Sequence, residues 1–120
     1  MEMIMKSRVF FTILGALALS ACAHVDPHPM DMSSAVRSAK TKADHNALAR
    51  HYEAAAETMR ARAQEQKNGL AEYREHGYYY GRQTEDLKEH TKALVRVYEE
   101  AAEANMSMAK AHREMAEEAK

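Results

Sequence analysis

Imidazole and thioether side chains are the groups of this chain with the most evident capacity for chemistry. Its 120 residues include seven histidines and nine methionines but only one cysteine. Both kinds of group are ligands for copper, and thioethers particularly favour Cu(I). If the chain folds as a helical hairpin, four such residues meet near its open end, and two more lie on the segment leading into it. These candidate copper ligands are His45, His112, Met108, Met115, His24 and His28.

The same residues also have a structural interpretation, which stays open at this point. A histidine on a helical seam can form a hydrogen bond to a facing polar side chain, and methionine commonly fills irregular helical interfaces. The Glu-x-x-His motif of di-iron bundles is absent from the sequence, which argues against a carboxylate-bridged oxidase or an iron store. We therefore expect no resident cofactor, with copper as the alternative.

Two long helices are predicted to position these side chains. Apolar and small residues recur in alternating steps of four and three, which is the spacing of one helix face. A comparable stripe runs through the first half of the mature chain. The predicted seam comprises Leu87, Thr91, Leu94, Tyr98, Ala101, Asn105, Met108, His112, Met115 and Ala119 in the second helix, and His45, Leu48, Tyr52, Ala55, Met59, Ala63, Gln66, Leu70 and Tyr73 in the first.

Local signals predict where these helices begin and end. Thr41 and Asp44 fit a capping box, which predicts a first helix over residues 41–76, with Ser33 or Ser34 as the alternative start. A Tyr-rich turn over 77–83 follows, in which Gly77 suits the left-handed conformation that closes a helix. Thr84 and the two acids after it predict a second helix over 84–118. Residues 33–42 are compatible with a short additional helix.

The two long helices resemble each other in sequence. At an offset of 46 residues, Ala47–Ala63 aligns with Ala93–Ala109, and the two segments share the pattern L-x-R-x-Y-E-x-A-A-E. This similarity predicts a duplicated helix folded into an antiparallel hairpin. Such a hairpin places His45 opposite His112.

A hairpin of two helices buries only one seam, so an isolated copy is predicted to be marginally stable. Small apolar residues, Val97, Ala104 and Ala111, widen the apolar surface of the second helix. We expect the domain to form a homodimer, as a four-helix bundle, or to dock on another helical protein.

Three consecutive tyrosines stand at the predicted tip of the hairpin. Tyr78, Tyr79 and Tyr80 offer apolar area together with hydroxyl groups, a combination that is frequent in contact surfaces. The rings could contact a partner, or they could fold back to cap the hairpin end. We expect at least one ring to cap and the others to be available for recognition.

The N-terminal 22 residues have the pattern of an export signal. Lys6 and Arg8 precede an apolar run over residues 9–19, which is too short to span a bilayer. The run ends in Leu19-Ser20-Ala21-Cys22, which resembles the lipobox of bacterial lipoprotein precursors. An ordinary signal peptide followed by a free thiol is the alternative.

The resemblance to lipoproteins implies a processed and anchored protein. It implies a signal peptide over residues 1–21 and acylation of Cys22 by diacylglycerol and palmitate. Residues 22–32, which contain both prolines, then form a tether, and residues 33–120 form the helical domain. Ala23 stands where many lipoproteins retained in the inner membrane have aspartate, which favours the outer membrane and a domain facing the periplasm.

Charge and motif content exclude several function classes. Without residues 1–21, the chain has 15 basic and 17 acidic residues, and the two signs are interleaved, so no nucleic-acid partner is expected. No motif of a nucleophile elbow, phosphate loop or HExxH site occurs, so we do not expect an enzyme. The mature part is similar to small alanine-rich helical envelope proteins of unknown function. The sequence favours a structural or protein-interaction module, and the alternative is a periplasmic copper-binding or copper-buffering protein.

Overall fold

The computed structural model describes residues 31–120, which form an all-helical chain. Helix α1 spans Met32–Ser38, α2 spans Lys42–Glu75 and α3 spans Thr84–Glu118. Two short 3-10 helices, Gly77–Tyr79 and Gly81–Gln83, connect the long helices. No strand occurs in this part of the chain, so the predicted all-α class and the long helical hairpin are confirmed. The predicted signal peptide, Cys22, His24 and His28 lie outside the described residues.

The capping box at the start of α2 is confirmed. The Thr41 hydroxyl accepts a hydrogen bond from the Asp44 backbone N–H at 3.1 Å, and the Thr41 N–H donates to the Asp44 carboxylate at 2.9 Å. The Lys40 N–H also donates to that carboxylate. Hydrogen bonds from the backbone of Lys40 and then Thr41 lower the pKa of Asp44. These bonds satisfy N–H groups that a helix start would otherwise leave without partners.

The turn between the long helices uses its glycines differently from the prediction. Gly81, with φ of 58°, has the positive φ angle, so the prediction that Gly77 is left-handed is wrong. Residue 77 is a glycine for a different reason: Thr84 leaves no room for a side chain there. A Cβ at this position would lie 2.7 Å from Cγ2 of Thr84. The Thr84 hydroxyl donates to the carbonyl oxygens of Gly77 and Gly81 at 2.6 and 2.8 Å. Thr84 therefore links both ends of the turn to the start of α3.

The contact between α2 and α3 is built from interleaved series of larger and smaller residues, each with a repeat of seven residues. Alanine dominates the smaller series, and six of its eight members are alanines exposed by 3% or less. Alternation of large and small side chains lets facing layers interdigitate. The larger series are His45, Tyr52, Met59, Gln66 and Tyr73 in α2 and Thr91, Tyr98, Asn105 and His112 in α3, and the smaller series are Ala49, Ala56, Ala63 and Leu70 and Val95, Ala102, Ala109 and Ala116.

The predicted seam of α3 is partly wrong. Leu94, Met108 and Met115 belong to the predicted contact with α2, but they are 42%, 42% and 43% exposed. The buried series lies one residue further along the chain, at Ala102, Ala109 and Ala116. Small side chains at these positions let the helices lie close, so the larger residues remain at the edge of the contact.

Polar seam residues are satisfied within their own helix. The Thr91 hydroxyl donates to the carbonyl oxygen of Leu87 at 2.7 Å, and the Asn105 amide donates to that of Ala101 at 2.8 Å. Both are bonds to the residue four positions earlier. Within residues 31–120, no buried side-chain nitrogen or oxygen lacks a hydrogen-bond partner. The seam can therefore include these two polar residues without leaving their polar groups unsatisfied.

Ala56→Leu tests this close packing. Ala56 is fully buried, so a larger side chain must displace the facing helix, and we expect the free energy of unfolding to fall by about 1–3 kcal/mol. Ala54→Leu is the matched control, because Ala54 is exposed on the same helix, and its effect should stay within about 0.5 kcal/mol. Urea unfolding followed by far-UV circular dichroism measures both. Equal effects of the two changes would contradict a small-residue seam.

Candidate functional site

His45 and His112 meet at the open end of the hairpin. His45 lies near the start of α2 and His112 lies near the end of α3. Their Nδ1 atoms are 3.2 Å apart, which confirms the prediction that the two residues lie opposite each other. One ring donates its Nδ1–H and the other accepts it, so the two imidazoles are different tautomers.

The two nitrogens point towards each other along the line between the rings. The ring centroids are 5.4 Å apart, which exceeds the Nδ1–Nδ1 distance by about the width of one imidazole ring. The ring planes differ by only 24°. The two rings consequently meet edge to edge, and the Nδ1 atom of each ring is directed at the Nδ1 atom of the other.

His112 is held in an environment that favours its neutral form. It is 5% exposed, and this burial lowers the pKa of its imidazole from the ordinary value of 6.5, with the nearby charge of His45 as a second cause. The ring of Tyr52 lies nearly parallel to that of His112, at an angle of 6° and a centroid distance of 5.6 Å. These contacts hold the ring of His112 between its neighbours.

The structure brings together only two of the candidate copper ligands that it describes. Met108 and Met115 stand four residues before and three residues after His112, and both side chains are more than two fifths exposed. They lie at the edge of the contact between the helices and not within it. Among residues 31–120, no three His, Cys, Asp or Glu side chains converge as a metal site. The described part of the candidate site is therefore a pair of imidazoles.

An arginine network beside the histidine pair was missed by sequence reasoning. The Arg113 guanidinium donates to both carboxylate oxygens of Glu53 at 2.9 and 3.0 Å and to the side-chain amide oxygen Oδ1 of Asn46 at 2.8 Å. Asn46 and Arg113 directly follow His45 and His112 in the chain, and this adjacency was the available signal. The Arg113 and Glu53 side chains are about two fifths exposed, so the pair contributes at most about 1 kcal/mol.

The cross-helix ion pairs distinguish the two sides of the hairpin. Lys67 pairs with Glu99 at 2.6 Å, on the same side of the seam as the pair between Arg113 and Glu53. The opposite side of α3, next to the seam, carries apolar residues in alternating steps of three and four. We call these residues the apolar face: Leu94, Val97, Ala101, Ala104, Met108, Ala111 and Met115.

At the other end of the hairpin, the tyrosines divide between packing and exposure. The ring of Tyr80 packs edge-on against Tyr73 with centroids 4.9 Å apart, and its hydroxyl lies 3.4 Å from the Glu72 carboxylate. Tyr78 and Tyr79 contact each other and are 71% and 72% exposed. Tyr80 thus folds back onto α2, as expected of a capping ring, and the other two project outward.

Comparisons with known proteins identify no relative. No protein-family model, curated protein or solved structure matches the chain. None of the helices in residues 31–120 is long and apolar enough to cross a membrane.

Proposed function

We propose that this protein is a lipid-anchored structural and interaction module of the cell envelope, and that its hairpin pairs with a second copy to form a four-helix bundle. The observation that carries the proposal is the apolar face of α3. Its members Leu94, Val97, Met108 and Met115 are 42%, 52%, 42% and 43% exposed. A contiguous apolar stripe of this kind is typical of an interaction surface.

The spacing of the apolar face suits a second copy of the same chain. In an antiparallel arrangement about Ala104, Leu94 lies opposite Met115 of the second copy, and Met108 lies opposite Ala101. Val97 then lies opposite Ala111, and the smallest layer, Ala104 against Ala104, falls on the two-fold axis. A two-fold interface requires a patch that is complementary to itself, and this series of residues has that property.

Charges beside the apolar face also favour the antiparallel arrangement. Among residues 31–120, Arg96 and Lys110 make only long ion pairs, at 3.9 Å to Glu100 and Glu114 respectively. In the antiparallel dimer, Arg96 approaches Glu114 of the second copy, and Lys110 approaches Glu100. Opposite charges therefore meet near both ends of one edge of the interface, which favours this pairing over a parallel one.

Duplication of one helix is part of the proposed origin of the hairpin. Several residues that match at the offset of 46 occupy the same places in the seam: Ala56 and Ala102 are both buried, as are Ala63 and Ala109. Tyr52 and Tyr98 are likewise both half-buried. Equivalent burial of equivalent residues supports descent from a single ancestral helix.

The proposed location rests on the sequence before the helical domain. Leu19-Ser20-Ala21-Cys22 supports a lipid anchor on Cys22, and Ala23 supports the outer membrane, with the domain facing the periplasm. The exposed Tyr78 and Tyr79 are the proposed contact residues at the far tip, where a further envelope component could bind.

Cysteine crosslinking tests both the pairing and its direction. In an antiparallel dimer, Ala104→Cys brings two cysteines together on the two-fold axis, within the range that a disulfide spans. Oxidation of membranes with diamide is expected to give a covalent dimer on a non-reducing gel. Val97→Cys should not crosslink, because its two introduced thiols lie about 14 residues, or about 21 Å, apart along the helices.

Matched controls separate this result from random collision. Ala61→Cys places a thiol on an exposed position of α2, away from the apolar face, and is expected to form no covalent dimer on the gel. The wild-type chain contains only Cys22, so it shows whether any crosslink forms through that residue. Crosslinking of Val97→Cys as readily as Ala104→Cys would indicate a parallel dimer, and equal crosslinking at Ala61 would refute the interface.

A further inference from the structure

We propose that His45 and His112 bind one Cu(I) ion between their Nδ1 atoms. The site is independent of the proposed pairing of two hairpins, because both ligands belong to one chain. It requires no residue outside the described helices. The direction of the two nitrogens and the distance between them support this site.

The direction of the nitrogens selects the metal. Two imidazole lone pairs that face each other along one line suit linear two-coordinate binding, a geometry that Cu(I) readily adopts. Zn²⁺ instead takes four ligands in a tetrahedron, and no third His, Cys, Asp or Glu joins the pair within residues 31–120. The His45–His112 pair therefore favours Cu(I) over the divalent metals that imidazole also binds.

The distance between the nitrogens needs only a small change. A metal–imidazole bond of about 2.0 Å on each side places the two nitrogens about 4 Å apart. They are now 3.2 Å apart, and the hydrogen-bonded proton lies between them. His45 is only half-buried near the start of α2, so its ring can move outward by under about 1 Å without disturbing the buried His112.

Binding of Cu(I) requires one proton to move within one imidazole ring, and it leaves the net charge of the two ligands unchanged. In the metal-free pair, one ring carries its proton on Nδ1 and the other carries it on Nε2. Moving the first proton from Nδ1 to Nε2 leaves both Nδ1 lone pairs available, and Cu(I) then replaces the shared proton.

A competition titration tests the site in the full chain. Cys22→Ser removes the only thiol, and the protein in detergent micelles is titrated anaerobically with Cu(I) against the chromophoric chelator bathocuproine disulfonate. We expect one tight Cu(I) per chain. His45→Gln and His112→Gln, which keep the helix and the polarity, are each expected to weaken binding by at least about 100-fold.

Two control variants identify which histidines are responsible. His90→Gln changes an exposed histidine of α3 and should leave the affinity unchanged. A double change, His24→Gln with His28→Gln, removes the tether histidines and should also have no effect on the tight site. Unchanged affinity in His45→Gln, or a loss in the tether variant, would overturn the proposal.

X-ray absorption provides a readout that does not depend on stability. The expected spectrum has two nitrogen scatterers and the edge feature of linear Cu(I). Coordination by three or four ligands, or Zn²⁺ binding as tight as that of Cu(I), would contradict the two-histidine site. Circular dichroism of each variant confirms that the helices remain, so that a loss of binding is assigned to the missing ligand.

Discussion

Cys22→Ala is expected to abolish lipid attachment completely. The thiol is the only group in the chain that the proposed acylation can use, because Cys22 is the single cysteine. Without the thioether-linked lipid, the signal peptide should also stay attached, since cleavage in lipoprotein precursors follows acylation. Cells labelled with radioactive palmitate should show a labelled protein for the wild type and an unlabelled, slower-migrating precursor for the variant.

Ser20→Ala provides the matched control for this experiment. It changes the same four-residue motif but keeps a small residue before Ala21 and leaves the thiol in place. Labelling and processing should therefore persist. Palmitate incorporation that survives in Cys22→Ala would show that the lipid is elsewhere, and a processed but unlabelled wild type would indicate an ordinary signal peptide.

Leu48→Ala is expected to cause the largest loss of stability among changes in the helices. Leu48 is 2% exposed and is the largest fully buried side chain of the described residues. Truncating a buried leucine removes apolar burial and leaves a cavity, which together cost about 2–5 kcal/mol. A domain of this size is stable by only a few to about 13 kcal/mol, so the change removes a large share of its stability.

The repeat supplies a control for Leu48→Ala, because Leu94 is its counterpart in α3 but is 42% exposed. Urea unfolding of Leu48→Ala should show the full loss at every protein concentration. Leu94→Ala should show a smaller loss that depends on concentration, because Leu94 is proposed to be buried only in the dimer. A concentration-independent loss of equal size at Leu94 would argue against the proposed pairing.

Local sequence signals were sufficient for the start of α2 and for the meeting of the histidines. The capping box depends on Thr41 and Asp44 alone, which lie three residues apart, so tertiary contacts are not needed to specify it. Facing positions in an antiparallel hairpin follow from the position of the turn, and this placed His45 opposite His112. Both inferences use short-range geometry that a sequence contains directly.

The turn shows where local signals were ambiguous. Gly77 and Gly81 are both compatible with a left-handed conformation, and the sequence does not say which of them adopts it. The three-dimensional structure shows that the positive φ angle falls at Gly81, and that Gly77 is needed because Thr84 leaves no room for a Cβ at residue 77. That close approach involves residues seven positions apart, and it becomes visible only in three dimensions.

By itself, the sequence determined the all-helical class, the division into two long helices and the residue types at the open end of the hairpin. It did not determine which stripe of α3 contacts α2, because the series through Leu94 and Met108 and the series through Ala102 and Ala109 both have helical spacing. The tertiary structure selected the alanine series, since small side chains allow the closer contact. It thereby left the larger apolar residues Leu94, Met108 and Met115 exposed on the apolar face, beside the pair of imidazoles that the sequence had already placed opposite each other.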